Sequence, residues 1–144
     1  MDIYARQMSS EDAAAVAGLC SQLGYPLSSH QILQNINAVH ASKDHDAFVA
    51  IYDSHVVGWI GLAQVIMIES LPFCEINGLV IDETHRGKGI GKLLLERAKQ
   101  WAKEKGNDTL RLRCNVKRTE AHEFYRHLGF QETKKQTVFV LDLQ

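Results

Sequence analysis

The order of hydrophobic and polar positions divides the chain into short elements of both kinds. Residues 3–8 read as a short first strand. Ser9 with Asp12 three residues on is a weak form of the capping box, and Ala13, Val16, Ala17 and Cys20 follow at helical spacing until Gly24. Ser28 with Gln31 repeats the signal ahead of a second amphipathic stripe, Ile32, Leu33, Ile36 and Val39. Residues 47–52 and 56–68, joined at Asp53-Ser54, form a hairpin by pattern, and residues 74–81 are a further strand. Gly78 inside that strand marks a bulge or a close approach to the backbone. Ile90, Leu93, Leu94, Ala98, Trp101 and Ala102 make one face of a long helix that Gly106 ends. Residues 109–115 alternate, 120–128 form a short helix with Thr119 as cap and Gly129 as stop, and 130–133 and 137–142 read as closing strands. The order is βααβββαβαββ, whose natural packing is an α+β fold, a mixed sheet flanked by helices, in one domain over residues 1–144.

Composition narrows the classes. Lys+Arg 16 against Asp+Glu 17 gives a net charge of −1, so a whole-surface basic field for nucleic acid is absent. The first eight residues carry Asp2, Tyr4, Arg6 and Gln7 and cannot form a signal-peptide core. The longest apolar run, residues 56–68, is short for a membrane span and rich in β-branched residues. Cys20, Cys74 and Cys114 read as free thiols of a reducing compartment, so the expectation is a soluble cytoplasmic protein. Neither the cysteines nor the seven histidines show metal-ligand spacing, and no metal is expected.

The most informative stretch is Arg86-Gly87-Lys88-Gly89-Ile90-Gly91-Lys92, which follows a strand and opens a helix. Glycines let the backbone approach a ligand, and the helix start offers free N–H donors and a positive dipole end. Those features suit a phosphate, and Lys88 and Lys92 add charge nearby. A P-loop is excluded, because only three residues separate Gly87 from Gly91-Lys92 and Leu93 follows. The dinucleotide fingerprint G-x-G-x-x-G is not matched either. The pattern that fits is R-x-x-G-x-G, carried by Arg86, Gly89 and Gly91.

Taken with the strand Glu75-Ile76-Asn77-Gly78-Leu79-Val80-Ile81 and the later run from Ala121 to Phe130, an A-x-x-F-Y-x-x-x-G-F signature, the chain resembles the GNAT superfamily of N-acetyltransferases over essentially its whole length. The resemblance implies a sheet splayed between its fourth and fifth strands that grips acetyl-CoA as co-substrate. It implies that the backbone of Leu79, Val80 and Ile81 pairs with the pantetheine arm. The amides of Gly87, Lys88, Gly89, Ile90, Gly91 and Lys92 would hold the pyrophosphate, with Arg86 in the same motif. It implies that Tyr125 protonates the departing thiolate. The family's asparagine seven residues before that tyrosine is Arg118 here; Asn115 lies close enough to stand in for it, and Arg118 or Lys92 could meet the 3′-phosphate.

An amine must be neutral to attack a thioester, so a carboxylate is expected to take its proton. Glu75, on the strand that would carry the acyl group, is the first candidate and Glu69 the second; for each the plain alternative is a solvated or ion-paired carboxylate. A backbone N–H freed by a bulge near residues 78–80 could serve the oxyanion. For Tyr125 the alternative is a core aromatic with a bonded hydroxyl. Acetylation of Cys74 or Cys114 is the rival route, and neither has a base near it in sequence. Segments 24–45 and 66–73 should set the acceptor, and Asp44, Asp46 and Glu69 hint at a cationic one. The expected activity is acetyl transfer to a primary amine, with a small-molecule acceptor favoured. The alternatives are a non-catalytic acyl-CoA-binding sensor or scaffold, and an acetyltransferase of protein or peptide lysines or N-termini. Pairing of two chains as a homodimer through the last strands is left open.

Overall fold

The computed structural model describes residues 2–114 and 116–144. It falls into two compact units, Met1–Leu112 and Arg113–Gln144. The first holds β1 (Ile3–Gln7), α1 (Ala13–Gln22), α2 (Ser29–Ala41), β2 (His45–Tyr52), β3 (His55–Val65), β4 (Phe73–Ile81), α3 (Ile90–Glu104) and β5 (Leu110–Leu112). The second holds α4 (Thr119–His127). The strands form one sheet in the order β1-β2-β3-β4-β5, antiparallel except for the parallel pair β4-β5. This is the mixed, helix-flanked sheet expected from the pattern.

Alternation sorts the strand side chains onto two faces. Ala47, Val49 and Ile51 meet Val16, Ala17 and Cys20 of α1 and Ile32 and Ile36 of α2 in one buried cluster. On the other face Phe48, Ile60 and Leu62 are buried to within 2% of full cover, as are Ile90, Leu94 and Leu95 of α3. Gly58 belongs to this face: a Cβ there would press on Ile90 and Leu94.

The helix signals hold in detail. Ser9 and Asp12 form a reciprocal capping box, followed by one turn of 3-10 helix before α1. Ser28 and Gln31 form the second box, with Ser28 N donating to Gln31 Oε1 at 2.8 Å and Gln31 N to Ser28 Oγ at 3.1 Å. Gly24 and Gly106 stand at φ +83° and +86° just past α1 and α3, where a side chain would strain the left-handed backbone. Asp53 and Ser54 both take positive φ, so the hairpin turn is of the mirror-image kind that matches strand twist.

Several boundaries differ from the pattern. β3 ends at Val65, because residues 66–72 turn outward and only Ser70 among them is even half-covered. β5 is three residues long. Thr119 is the first residue of α4 and Arg118 its cap. The expected strands at 130–133 and 137–142 join no ladder among the described residues, and every residue of 131–144 is exposed. A strand needs a neighbour for its backbone and cover for its apolar face, and no described residue of its own unit supplies either.

Asp12 carries the most consequential polar contact of the N-terminal region. It is buried, and Arg6 meets it with two hydrogen bonds of 2.8 and 2.9 Å while Ser9 N donates at 2.8 Å. Burial pushes its carboxyl up, but the bonds from Arg6 and Ser9 outweigh that and hold it below the usual range. A depressed carboxyl contributes stability above its unfolded pKa and loses it as pH falls through the folded value. Asp12→Asn should therefore cost about 1–3 kcal/mol at pH 7. The deficit should shrink below about pH 4, read by urea melts at both pH values. Equal deficits at both would show that the charge is not the cause.

Candidate active site

β4 is the strand on which the site is built. It pairs with β3 over nearly its full length, from Phe73↔Val65 to Ile81↔Gly58. On its other side it pairs with β5 only at Cys74, Glu75 and Ile76. From Asn77 onward that edge has no strand partner among the described residues. Leu79, Val80 and Ile81 thus lie on an open backbone edge, which an amide-bearing ligand arm can pair with as a further strand would.

A bulge sits where the two strands part. Gly61 faces Gly78 and Leu62 faces Ile76, so Asn77 is the extra residue. Both glycines are required by close approach. A Cβ on Gly78 would collide with the Trp59 ring, and one on Gly61 with the Asn77 carboxamide. The single glycine in this strand therefore marks a bulge and a close approach together. The indole Nε1 of Trp59 is buried and unpartnered; the Cys20 thiol beside it is a weak acceptor and leaves it unsatisfied. By register Glu75, Gly78 and Val80 lie on the face of Trp59 and Ala63, the face covered by α1 and α2. Asn77 is exposed and Glu75 half-buried on this face. Trp59 and Asn77 escaped the sequence reading. An alternating strand gives no sign that one tryptophan will fold across its neighbour's glycine.

The chain then enters the glycine-rich turn. Asp82 N donates to Val57 O at 2.8 Å, and the Asp82 carboxylate accepts from Thr84 N and Oγ1 at 3.1 Å each. The Thr84 backbone N–H is the main cause of an Asp82 carboxyl held below its usual range. Gln22, at the end of α1, accepts from Glu83 N at 3.1 Å and so fastens the turn to the helix layer. The Gln22 anchor was not legible in the sequence, because it joins residues 61 positions apart.

Gly87 and Gly89 stand at φ +80° and +81°, and Gly89 is the N-cap of α3. No side chain caps this helix and its first turn holds no acidic residue. The first α3 bond beyond the cap is Leu93 N to Gly89 O at 3.0 Å, which leaves the amides of Ile90, Gly91 and Lys92 without an intrahelical acceptor. Arg86, Gly87, Lys88, Gly89 and Lys92 are exposed, while Ile90 and Gly91 are buried and root the helix in the core. Lys88 Nζ lies 4.6 Å above the Tyr52 ring, which meets His85 edge-on at 5.2 Å. A bare helix N-terminus flanked by lysines is an anion site with its donors already aimed.

Cys74, one residue before Glu75, is fully buried, and burial pushes its thiol up to about 11. That thiol stays protonated near neutral pH and offers no nucleophile. Glu69 is exposed in the turn before β4, and Asp46 is engaged, accepting from Gln7 Nε2 at 3.1 Å and Ala47 N at 2.8 Å. A depression of about 780 Å³ lies at the opposite end of β4 and β5, lined by Asp44, Ile66, Leu71, Lys105, Asp108 and Arg111 among others. Its three cations with Lys43 counted, against Asp44 and Asp108, do not make the acidic cradle that the carboxylates of the sequence suggested.

In the second unit, Tyr125 is a half-buried residue of α4. Gly129, at φ +101°, turns the chain so that Phe130 N bonds Tyr125 O at 3.0 Å and the Phe130 ring packs edge-on against Tyr125 at 5.9 Å. The G-F end of the A-x-x-F-Y-x-x-x-G-F signature thus fixes the tyrosine. Burial, with Cys114 adding and Arg118 opposing, pushes the phenol up, so it is a proton donor near neutral pH. Arg118 is exposed at the cap of α4. Asn115 lies outside the described residues. Among the described residues no group of His, Cys, Asp and Glu could hold a metal, and no helix is long and apolar enough to cross a membrane.

Known proteins share this plan. The model of the acetyltransferase (GNAT) family matches residues 15–130. The N-acetyltransferase MJ1207 of Methanocaldococcus jannaschii is 33% identical over 93 residues, 62% of this chain and 41% of that protein. An aminoglycoside N(6')-acetyltransferase type 1 of Stenotrophomonas maltophilia is 28% identical over 144 residues, 96% of this chain and 93% of that one. A solved aminoglycoside N-acetyltransferase, AAC(6')-Iy in complex with CoA, has the same fold at a TM-score of 0.85 and 20% identity, covering 99% and 96% of the two chains. A strand left open on one edge, the bare helix start it feeds, and a family model spanning most of the sequence agree: the chain belongs to the acetyltransferase (GNAT) family and carries its acetyl-CoA-dependent N-acetyltransferase domain.

Proposed function

We propose that the protein transfers the acetyl group of acetyl-CoA to a primary amine of a small molecule, by direct attack while both are bound. One observation carries this reading. The open edge of β4 at Leu79, Val80 and Ile81 runs within a few residues into the amides of residues 87–92, so one linear ligand with amides at one end and a pyrophosphate at the other matches both. Glycine at 87, 89 and 91 leaves room for phosphate, with Arg86, Lys88 and Lys92 beside it.

In this reading the neutral amine attacks the thioester carbonyl from the α1 and α2 side of β4. Glu75 takes its proton, directly or through water. The carbonyl oxygen gathers charge beside the Asn77 bulge, where the ladder is interrupted and a backbone donor can serve it. The C–S bond then breaks and the sulfur takes the proton of Tyr125. The buried, protonated Cys74 supports direct transfer over an acetyl-cysteine route. The aminoglycoside acetyltransferases among the relatives support a small amine over a protein lysine, and the three unpaired cysteines fit a cytoplasmic setting.

Thiol release from acetyl-CoA across an amine panel tests the reading. Turnover on small amines supports it; tight CoA binding with no turnover on any amine or peptide would favour an acyl-CoA sensor. Tyr125→Phe should lower kcat about 10–100-fold with little change in the KM for acetyl-CoA, and unchanged turnover would remove the tyrosine from the chemistry. Gly89→Asp keeps a residue that tolerates positive φ and places a negative charge at the helix start. It should raise the KM for acetyl-CoA roughly tenfold or more while sparing the amine KM. Cys74→Ala should retain turnover, and no labelled acetyl-enzyme should accumulate without an acceptor; a trapped acetyl-Cys74 would overturn direct transfer.

A further inference from the structure

The glycine-rich turn is the least tethered part of the proposed coenzyme site. Among the described residues Arg86, Gly87 and Lys88 make no hydrogen bond, and the first bond into α3 is Leu93 N to Gly89 O at 3.0 Å. Gly87 and Gly89 take φ +80° and +81° on either side of Lys88, so both of its neighbours are residues of the widest backbone freedom. Ordering such a stretch only when a ligand arrives costs entropy that is subtracted from the affinity. A turn that holds a pyrophosphate gains from a tether that is in place beforehand.

Lys88 supplies one. Its ammonium lies 4.6 Å above the ring of Tyr52, the last residue of β2. A cation in that place is attracted by the negative face of the ring. Tyr52 is half-buried and stands in register with Ile3 of β1 and His55 of β3, so its backbone belongs to the sheet and not to the turn. His85 meets the same ring edge-on at 5.2 Å. The His85 ring is itself held: its Nδ1 lies 3.3 Å from Asp82 Oδ2 and 3.1 Å from Thr84 Oγ1. Its backbone N–H donates to Asp82 O at 2.9 Å. The contacts thus run from the sheet through one fixed ring to the residue between the two glycines.

We propose that Tyr52 is a positioning residue for coenzyme A: its ring holds Lys88, and through Lys88 it sets the backbone of residues 87–89 before the pyrophosphate binds. The inference rests on the reading that this turn takes the pyrophosphate. It gives Lys88 the part of a strut, where the sequence suggested only added charge. Tyr52 acts through Lys88 and touches no reacting atom, so its removal should be felt in coenzyme binding and not in the acetyl transfer itself.

Calorimetric titration of CoA into the full chain, with kinetics beside it, tests this. Tyr52→Leu and Tyr52→Gln remove the ring and should each weaken CoA roughly two- to fivefold, the worth of an exposed cation–π contact, with kcat and the amine KM unchanged. Tyr52→Phe keeps the ring and should restore the affinity. In a Lys88→Met background Tyr52→Leu should have no further effect, because the tether is already cut. S-Acetylpantetheine has no pyrophosphate, and Tyr52→Leu should use it with the kcat/KM of the wild type. Unchanged CoA affinity in both ring-less variants overturns the proposal. So does a loss that persists in full in the Lys88→Met background. An equal loss with S-acetylpantetheine also overturns it, because it would mark Tyr52 as a residue of the fold alone. A wild-type chain that takes up no CoA would remove the reading of the turn itself, and the proposal with it.

Discussion

A β-sheet is held by backbone hydrogen bonds, and the structure turns on the place where those bonds stop. β4 is bonded on both sides at Cys74, Glu75 and Ile76 and on one side from Asn77 onward. A buried amide without a partner is costly, so an edge of this kind near a core is kept only where something else pairs with it. The bulge at Asn77 is the local device that coincides with the parting. The glycines at 61 and 78 make it affordable in space, one admitting a carboxamide and the other an indole.

The same strand then delivers the chain to an uncapped helix. The 3-10 turn that leads into α1 and the start of α2 meet their first amides with side chains, through Ser9 with Asp12 and Ser28 with Gln31. α3 has glycine at that position and no acidic residue in its first turn. Its rear is nonetheless among the best-buried surfaces of the molecule, through Ile90, Leu94 and Leu95. Stability is supplied from behind the helix, which frees its front for an anion. The anchors at Asp82 and Gln22 hold the turn in place, so its donors do not have to be organised when a ligand arrives.

Much of this was legible in the sequence. The capping boxes, the glycine stops, the α3 stripe and the glycine-rich turn are local signals, each set within one or two helical turns, and they appear where the spacing puts them. Gly78 announced a bulge or a close approach and is the seat of both. What could not be read is long-range: the fold of Trp59 over Gly78, the reach of Gln22 to Glu83, and the extent of β4-β5 pairing. The strands at 130–133 and 137–142 show the limit from the other side. The run at 137–142 is β-prone in composition, but strand structure depends on a partner, and local composition does not name one.

Amide hydrogen exchange with and without CoA tests the central claim most directly, because it reads the backbone donors themselves. Binding should slow exchange at Leu79, Val80 and Ile81 and at residues 87–92 together, with the far end of β4 near Phe73 unchanged. CoA that binds while those amides exchange at their free rates would contradict the account.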